Sequence, residues 1–124
     1  MSTYEVSVSV NFSAAHALPL GEGKFEDPHQ HTWRAEAAFR SDNIDNEMGV
    51  VIDFLEVQDA MDAIAAQLND QDLNLLDAFN DATTSAENVA AWIACQLWMK
   101  LAGQGTLYRV SVTEAPGCTA SYYP

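Results

Sequence analysis

The chain has 124 residues, and its 5 Lys and Arg against 18 Asp and Glu give a formal net charge of −13 at pH 7. This length predicts a single domain over residues 1–124, and a hydrophobic fraction of 48% is enough to form a buried core. A strongly acidic chain repels nucleic-acid backbones and anionic membrane surfaces, which argues against both as partners. A high-salt cytoplasm would also explain the acidity.

The first residues and the cysteines indicate the cellular compartment. Residues 1–5 lack the basic and then apolar pattern of a secretory signal. No apolar run reaches the roughly 18 residues that a membrane-spanning helix needs. Cys95 and Cys118 are too few to form a disulfide framework, which favours a reducing environment. We therefore expect a cytoplasmic protein.

Two strands joined by a long loop open the chain. Apolar and polar residues alternate over residues 4–12 and again over residues 31–39, which is the pattern of half-buried strands. The connecting loop is rich in Gly and Pro. At about 15 residues it is longer than most loops in compact domains, and such loops are commonly functional.

Two amphipathic helices follow the strand pair. The first begins near Asp53, which fits a capping box with Glu56, and its apolar stripe runs to residue 68. The second begins at Thr84 or Ser85, again with the residues of a capping box, and its stripe runs to residue 101.

The last part of the chain predicts a second strand pair. Alternation over residues 108–114 indicates a third strand, Pro116 and Gly117 form a turn, and residues 118–123 return as a fourth strand. The order β-β-α-α-β-β predicts an α+β fold in which a four-stranded antiparallel sheet carries both helices on one face. The other face would then be open, which favours assembly into oligomers.

All three histidines of the chain, His16, His29 and His31, lie within a window of 16 residues. Residues i and i+2 of a strand face the same side, so His29 and His31 can reach one ion while His16 approaches from the neighbouring strand. Three imidazoles with an open fourth position are typical of catalytic zinc. Nickel, iron or cobalt could use the same ligands, but ligand type and availability favour zinc.

These motifs resemble a known family. FSAAH at residues 12–16 and HQH at residues 29–31 are similar to the zinc-binding motifs of the 6-pyruvoyl- and 6-carboxytetrahydropterin synthases. The resemblance continues, in order, through three further segments: GVVIDF at 49–54, SAEN at 85–88 and VTE at 112–114.

The resemblance implies the tunnel fold, with trimers that pair into hexamers and active sites at subunit contacts. It also implies a zinc-dependent carbon–oxygen or carbon–carbon lyase acting on the side chain of a reduced pterin, either dihydroneopterin or its triphosphate. Glu114, in the segment that resembles the family's substrate-anchoring strand, is expected to hold the ring. A carboxylate can accept both parallel N–H donors on the pterin's amino-pyrimidinone edge.

Three positions depart from the family pattern. Gln30 replaces the usual Gly between the paired histidines, which removes no ligand. Phe25 stands where the family usually has its catalytic Cys, and Asn69 with Asp70 stands where it has an Asp-His pair. The usual catalytic relay is therefore absent in that form.

Glu26 is the expected substitute for the missing Cys. EDPHQH at residues 26–31 resembles a variant branch of the family in which Glu replaces the Cys, a branch associated with shortening the dihydroneopterin side chain to a hydroxymethyl group. A carboxylate three residues from a zinc ligand can act as a general base. Asp27, its sequence neighbour, and Asp70, which fills the family's His position, are alternative bases.

The charge of the chain bears on the choice of substrate. A triphosphate would have to approach a chain with 13 net negative charges and 5 Lys and Arg, which favours a less charged, dihydroneopterin-like molecule. Two other functions stay open at this point. One is a zinc- and pterin-binding paralogue without catalytic activity, and the other is a metal-binding structural oligomer with no pterin ligand.

Overall fold

The computed structural model describes residues 2–124. Seven strands and two helices follow one another as β1 (Tyr4–His16), β2 (Pro19–Gly21), β3 (Lys24–Phe25), β4 (His29–Ser41), α1 (Phe54–Leu68), β5 (Gln71–Asp72), α2 (Ala86–Lys100), β6 (Leu107–Ala115) and β7 (Cys118–Tyr122). Two short 3₁₀ turns, Leu73–Leu75 and Asp77–Phe79, lie between β5 and α2.

The main sheet has the strand order β5-β1-β4-β6-β7. β1, β4, β6 and β7 are antiparallel neighbours, while β5 runs parallel to β1 beside Ala14 and Ala15. The predicted α+β fold with its four-stranded antiparallel sheet is thus confirmed, and β5 adds a short fifth strand. The loop after β1 differs from the prediction because β2 and β3 form a separate small hairpin within it.

One hydrophobic core joins both helices to the same face of the sheet. Trp33 from β4 and Val110 from β6 are fully buried in one cluster with Met61 from α1 and Ile93 from α2. β1 and β4 are longer than the alternating segments that the sequence predicted. Their backbone pairing continues up to the hairpin formed by β2 and β3. Among residues 2–124, no helix combines the length and the apolar character needed to cross a bilayer.

Polar side chains set the start of each helix. The Asp53 carboxylate accepts a hydrogen bond from the Leu55 N–H at 2.9 Å, and the Ser85 hydroxyl accepts one from the Asn88 N–H at 3.2 Å. Both satisfy N–H groups of the first turn, which have no partner within the helix. Of the two predicted caps for α2, Ser85 is the one used, while Thr84 is 1% exposed.

The opposite face of the sheet is polar. Arg109 donates to Glu36 at 3.0 Å, and Arg40 donates to Glu5 at 2.6 Å. This bond to Glu5 is the main reason that the pKa of Arg40 is raised. A polar open face has little hydrophobic surface to bury, which removes the hydrophobic reason for expecting assembly through this face. β7 forms one edge, and the part of β1 before Ala14 forms the other.

Candidate functional site

The register of β1 and β4 brings the three histidines together. His16 lies directly opposite His29, and Ala14 lies opposite His31. Since side chains alternate along a strand, all three imidazoles project from the same face of this strand pair. The ring centroids are 4.6 Å apart for His16 and His29, 4.6 Å for His29 and His31, and 5.7 Å for His16 and His31.

A β-bulge in β6 brings Glu114 to the same place. Thr113 pairs with Thr119 and Ala115 pairs with Cys118, so Glu114 is the extra residue of the bulge. Its Oε1 atom contacts Nε2 of His16, and it lies 3.5 Å from Nε2 of His31 and 3.8 Å from Nε2 of His29. One donor atom from each of the four side chains lies within 4.8 Å of all the others. The sequence predicted Glu114 as a ring anchor and gave no sign that it adjoins the histidines.

Backbone carbonyls determine which ring nitrogen carries the proton. Nδ1 of His16 lies 2.7 Å from the Thr84 carbonyl oxygen, and Nδ1 of His29 lies 3.2 Å from the Asp27 carbonyl oxygen. A carbonyl can only accept, so each Nδ1 donates its proton, and in the neutral ring the lone pair then lies on Nε2. This is the tautomer in which Nε2 can bind a metal, with Nδ1–H fixing the orientation of the ring.

The four side chains, which we call the His/Glu cluster (His16, His29, His31 and Glu114), fit a divalent metal. His16 is completely buried, and its Nε2 atom contacts Glu114 Oε1 without the geometry of a hydrogen bond. In the neutral ring, this nitrogen and the carboxylate oxygen are both acceptors, so their close approach is unfavourable unless a proton or a metal ion lies between them. A metal ion bound by the imidazole nitrogens would take up the Nε2 lone pair and offset the charge of the nearby carboxylate, and imidazole is a ligand that suits zinc.

A cavity of about 220 Å³ adjoins the cluster between the start of α2 and the β6–β7 turn. Its wall includes two carboxylates, Glu87 and Glu114. The complete lining is Ala86, Glu87, Glu114, Cys118, Thr119 and Ala120. The sequence indicated Glu87 as a helix-capping residue, and its place in this wall follows from the packing of α2 against β6 and β7. A larger, mainly apolar cavity of about 590 Å³ lies near Trp98 and Tyr122, and its lining includes no residue of the His/Glu cluster.

Glu26 lies at the base of the hairpin formed by β2 and β3. Its backbone N–H donates to the Leu18 carbonyl at 2.9 Å, and its Oε1 atom accepts from the Leu18 N–H at 2.9 Å. Leu18 follows His16 by two residues and Glu26 precedes His29 by three, so the hairpin base directly continues the strand pair that carries the histidines. The neighbouring Asp27 is exposed and supplies the carbonyl that orients His29.

Asp70 lies elsewhere within the chain. It is exposed, it has a left-handed backbone with φ of 59°, and its N–H donates to the Ser13 carbonyl. Ser13 points to the opposite side of β1 from His16. The structure therefore places Asp70 beside β1 and outside the His/Glu cluster of its own chain, and its catalytic role stays a prediction.

Comparison with known proteins gives the family. The sequence profile of the 6-pyruvoyl tetrahydropterin synthases matches residues 5–124. The chain belongs to this family. It is 32% identical over 104 residues to a dihydroneopterin monophosphate aldolase of Pyrococcus furiosus, covering 84% of this chain and 83% of the relative. It is also 32% identical over 116 residues to a 6-carboxy-5,6,7,8-tetrahydropterin synthase of Synechocystis, covering 91% and 88%.

Solved structures of 6-pyruvoyl tetrahydropterin synthases confirm the tunnel fold. The Caenorhabditis elegans enzyme superposes with a TM-score of 0.86 at 22% identity, over 100% of this chain and 97% of the other. A Plasmodium vivax enzyme superposes with a TM-score of 0.79 at 20% identity, over 100% and 99%. That structure is of a variant in which a glutamate, described as a catalytic residue, is replaced by cysteine.

Replacing any one of the three histidines with alanine should reduce metal binding, because each change removes one nitrogen donor from the site. We expect one metal ion per wild-type chain and an affinity at least about tenfold weaker in His16→Ala, His29→Ala and His31→Ala. Elemental analysis after purification without chelator, followed by metal titration, measures both.

Gln30→Ala is the matched control for this experiment. Gln30 lies between the two paired histidines, but it faces the other side of the strand, where its amide donates to the Ser13 hydroxyl at 2.7 Å. It should bind metal as the wild type does. A wild-type protein that takes up no transition metal on reconstitution would contradict the assignment.

Proposed function

We propose that this protein is a zinc-dependent lyase acting on the side chain of a reduced pterin, with a dihydroneopterin-type molecule as the favoured substrate. The observation that carries the proposal is the convergence of three imidazole Nε2 atoms and the Glu114 carboxylate beside a polar cavity. We further place the enzyme in the cytoplasm, where the free thiols of Cys95 and Cys118 would be stable.

The cavity has groups that suit the pterin ring. Glu114 can accept the two parallel N–H bonds of the amino-pyrimidinone edge. The N–H groups of Ala86 and Glu87 belong to the first turn of α2, where backbone donors lack partners within the helix, and one can donate to the ring carbonyl. Three histidines are enough to hold a catalytic zinc with an open position, which leaves Glu114 for the ring.

Glu26 is the proposed base. Zinc, when bound, would supply Lewis-acid polarisation of the substrate's side-chain oxygens. In an aldolase-type cleavage, the Glu26 carboxylate takes the proton of the second side-chain hydroxyl, the bond between the first and second side-chain carbons breaks, and an aldehyde leaves. The electron pair passes into the ring imine attached to the first carbon, and that carbon then receives a proton. The Leu18 N–H, bonded to Oε1, holds the carboxylate in place for these transfers.

Two relatives support this choice of reaction and residue. The Pyrococcus furiosus relative is named as an aldolase of dihydroneopterin monophosphate. The Plasmodium vivax relative has a catalytic glutamate. Charge adds to the argument, because a chain with a net charge of −13 is poorly suited to a triphosphate. Formation of a 6-pyruvoyl or 6-carboxy product from dihydroneopterin triphosphate is the alternative outcome of the same site.

A zinc- and pterin-binding protein without catalysis is the second candidate function. Two observations favour it: Phe25, which is 55% exposed, stands at the position of the family's Cys, and Asp70 lies outside the His/Glu cluster. Turnover separates the two candidates. Zinc-loaded protein is incubated with dihydroneopterin and with its triphosphate, and the products are identified by mass spectrometry. A hydroxymethyl pterin is the product that we expect.

Glu26→Gln should abolish this turnover while zinc content and pterin binding stay nearly unchanged. The amide has the same size but cannot take a proton at neutral pH, and a general base typically contributes about 10²–10⁴-fold in rate. Steady-state rates with dihydroneopterin provide the measurement. Asp70→Asn is the matched control and should retain most of the activity. A wild-type rate in Glu26→Gln would rule out Glu26 and leave Asp27 or Asp70 as the base.

Glu114→Gln should act on ring binding. It keeps one acceptor but turns the other oxygen into a donor that faces a pterin N–H, so the pterin dissociation constant should rise by about tenfold or more. Titration with a pterin analogue, followed by fluorescence, measures the constant, and metal analysis accompanies it. Loss of metal with unchanged pterin affinity would show instead that Glu114 is a metal ligand.

We also propose that the chain assembles into trimers or into hexamers built from them, as its family resemblance implies. β1 and β7 each leave backbone groups along one edge of the sheet, and pairing between copies would satisfy them. Light scattering at micromolar concentration should therefore give three or six times the mass of 13.5 kDa. Moderate salt is required because 13 net negative charges per chain oppose assembly at low ionic strength. A monomer under these conditions would contradict the proposal.

A further inference from the structure

We propose that Asn74 is a positioning residue for His16: it holds the carbonyl group that orients the imidazole and so determines which ring nitrogen is free to bind a metal. The proposal rests on the metal site described above and extends it to a residue beyond the His/Glu cluster. Asn74 lies in the 3₁₀ turn Leu73–Leu75, and it acts on His16 through Ala17 and Thr84.

The side-chain amide of Asn74 makes three hydrogen bonds at the end of β1. Its Oδ1 atom accepts from the Ala17 N–H at 2.8 Å and from the Thr84 hydroxyl at 3.1 Å. Its Nδ2 atom donates to the Ala17 carbonyl at 2.9 Å. One planar amide thus satisfies both backbone groups of the residue that follows His16, as a neighbouring strand would. Among side chains of this length, an amide alone offers this donor and acceptor pair.

The core and a local hydrogen bond fix the position of Asn74. Leu73, immediately before it, is completely buried. The Asp72 carboxylate accepts from the Asn74 N–H at 3.0 Å and so closes the turn on the other side. The amide is therefore presented to β1 by a segment that is anchored independently of the histidines.

Thr84 carries the effect of Asn74 to the imidazole. Its hydroxyl is bonded to Asn74, while its carbonyl receives Nδ1–H of His16 at 2.7 Å. Thr84 is 1% exposed and His16 is 0% exposed, so bulk water does not reach either group to replace a lost partner. Without Asn74, the Ala17 backbone beside His16 and the Thr84 hydroxyl both lose a hydrogen-bond partner. A ring that moves its proton to Nε2 can no longer use that nitrogen as a metal ligand.

Two measurements on Asn74→Ala test the proposal. Zinc affinity, measured by competition with a chelator, should fall by about 10- to 100-fold. In metal-free protein, at a pH where the ring is neutral, ¹⁵N NMR should show a larger share of the Nδ1–H form of His16 in the wild type than in the variant. Glu114 faces Nε2 in both proteins, so only the support of the Nδ1–H bond differs between them. His29→Gln and His31→Gln assign the signals. Asn74→Asp keeps the acceptor but loses the donor to Ala17. Its zinc affinity and its share of the Nε2–H form should lie between those of the wild type and Asn74→Ala.

Thr84→Val is a second variant that tests the same positioning role, for the case in which Asn74→Ala does not fold. It removes the hydroxyl that contacts Asn74 and should also weaken zinc binding and shift the tautomer, whereas Thr84→Ser keeps the hydroxyl and should restore both. Asn43→Ala, an exposed asparagine in a surface loop, is the control for the type of substitution.

The proposal is overturned if folded Asn74→Ala or Thr84→Val keeps wild-type zinc affinity and tautomer. It is also overturned if affinity falls while the tautomer is unchanged, since that would be a general loosening of the site. The tautomer is read without metal or substrate. A protein that binds zinc but lacks turnover would therefore refute the proposed function and leave this test in force, whereas a protein that binds no zinc would refute both.

Discussion

The antiparallel register between β1 and β4 is the constraint on which the site depends. It sets His16 opposite His29, and a slip of one residue would turn the side chains of one strand to the other face. An aromatic pair four residues away holds this register. Phe12 lies directly opposite Trp33 with ring centroids 5.9 Å apart, and both side chains are buried in the core. Core packing and ligand geometry are therefore set by the same strand pair.

Around that strand pair, the chain brings electron-pair donors, the imidazole Nε2 atoms and the Glu114 carboxylate, close enough together to attract a cation. Two backbone carbonyls hold imidazole protons on Nδ1, and a β-bulge brings the Glu114 carboxylate against the free nitrogens. A buried lone pair beside a carboxylate, in a chain of net charge −13, is an unfavourable electrostatic state unless a cation lies between them. Binding of such a cation to the folded state would also stabilise the fold itself by mass action.

Local sequence patterns were sufficient for part of this structure. Two-residue alternation identified the strands, helix caps such as Asp53 were readable, and the spacing of His29 and His31 indicated a shared face. The features that sequence reasoning missed depend on contacts between distant segments. The bulge at Glu114 arises from pairing with β7, and the Asn74 amide meets Ala17 across 57 residues of chain. For Asp70, family resemblance gave a position in the sequence, the fold leaves its side chain exposed beside β1, and its catalytic role stays a prediction.

The central claim is that the three imidazoles hold a zinc ion with a position open to an oxygen ligand. X-ray absorption at the zinc edge of the reconstituted protein tests this most directly, because it identifies the atoms bound to the metal. The account predicts nitrogen or oxygen neighbours at about 2.0–2.1 Å, with the multiple-scattering pattern of three imidazoles. A sulfur neighbour at about 2.3 Å, from Cys95 or Cys118, or a set of oxygens without imidazole scattering, would contradict it.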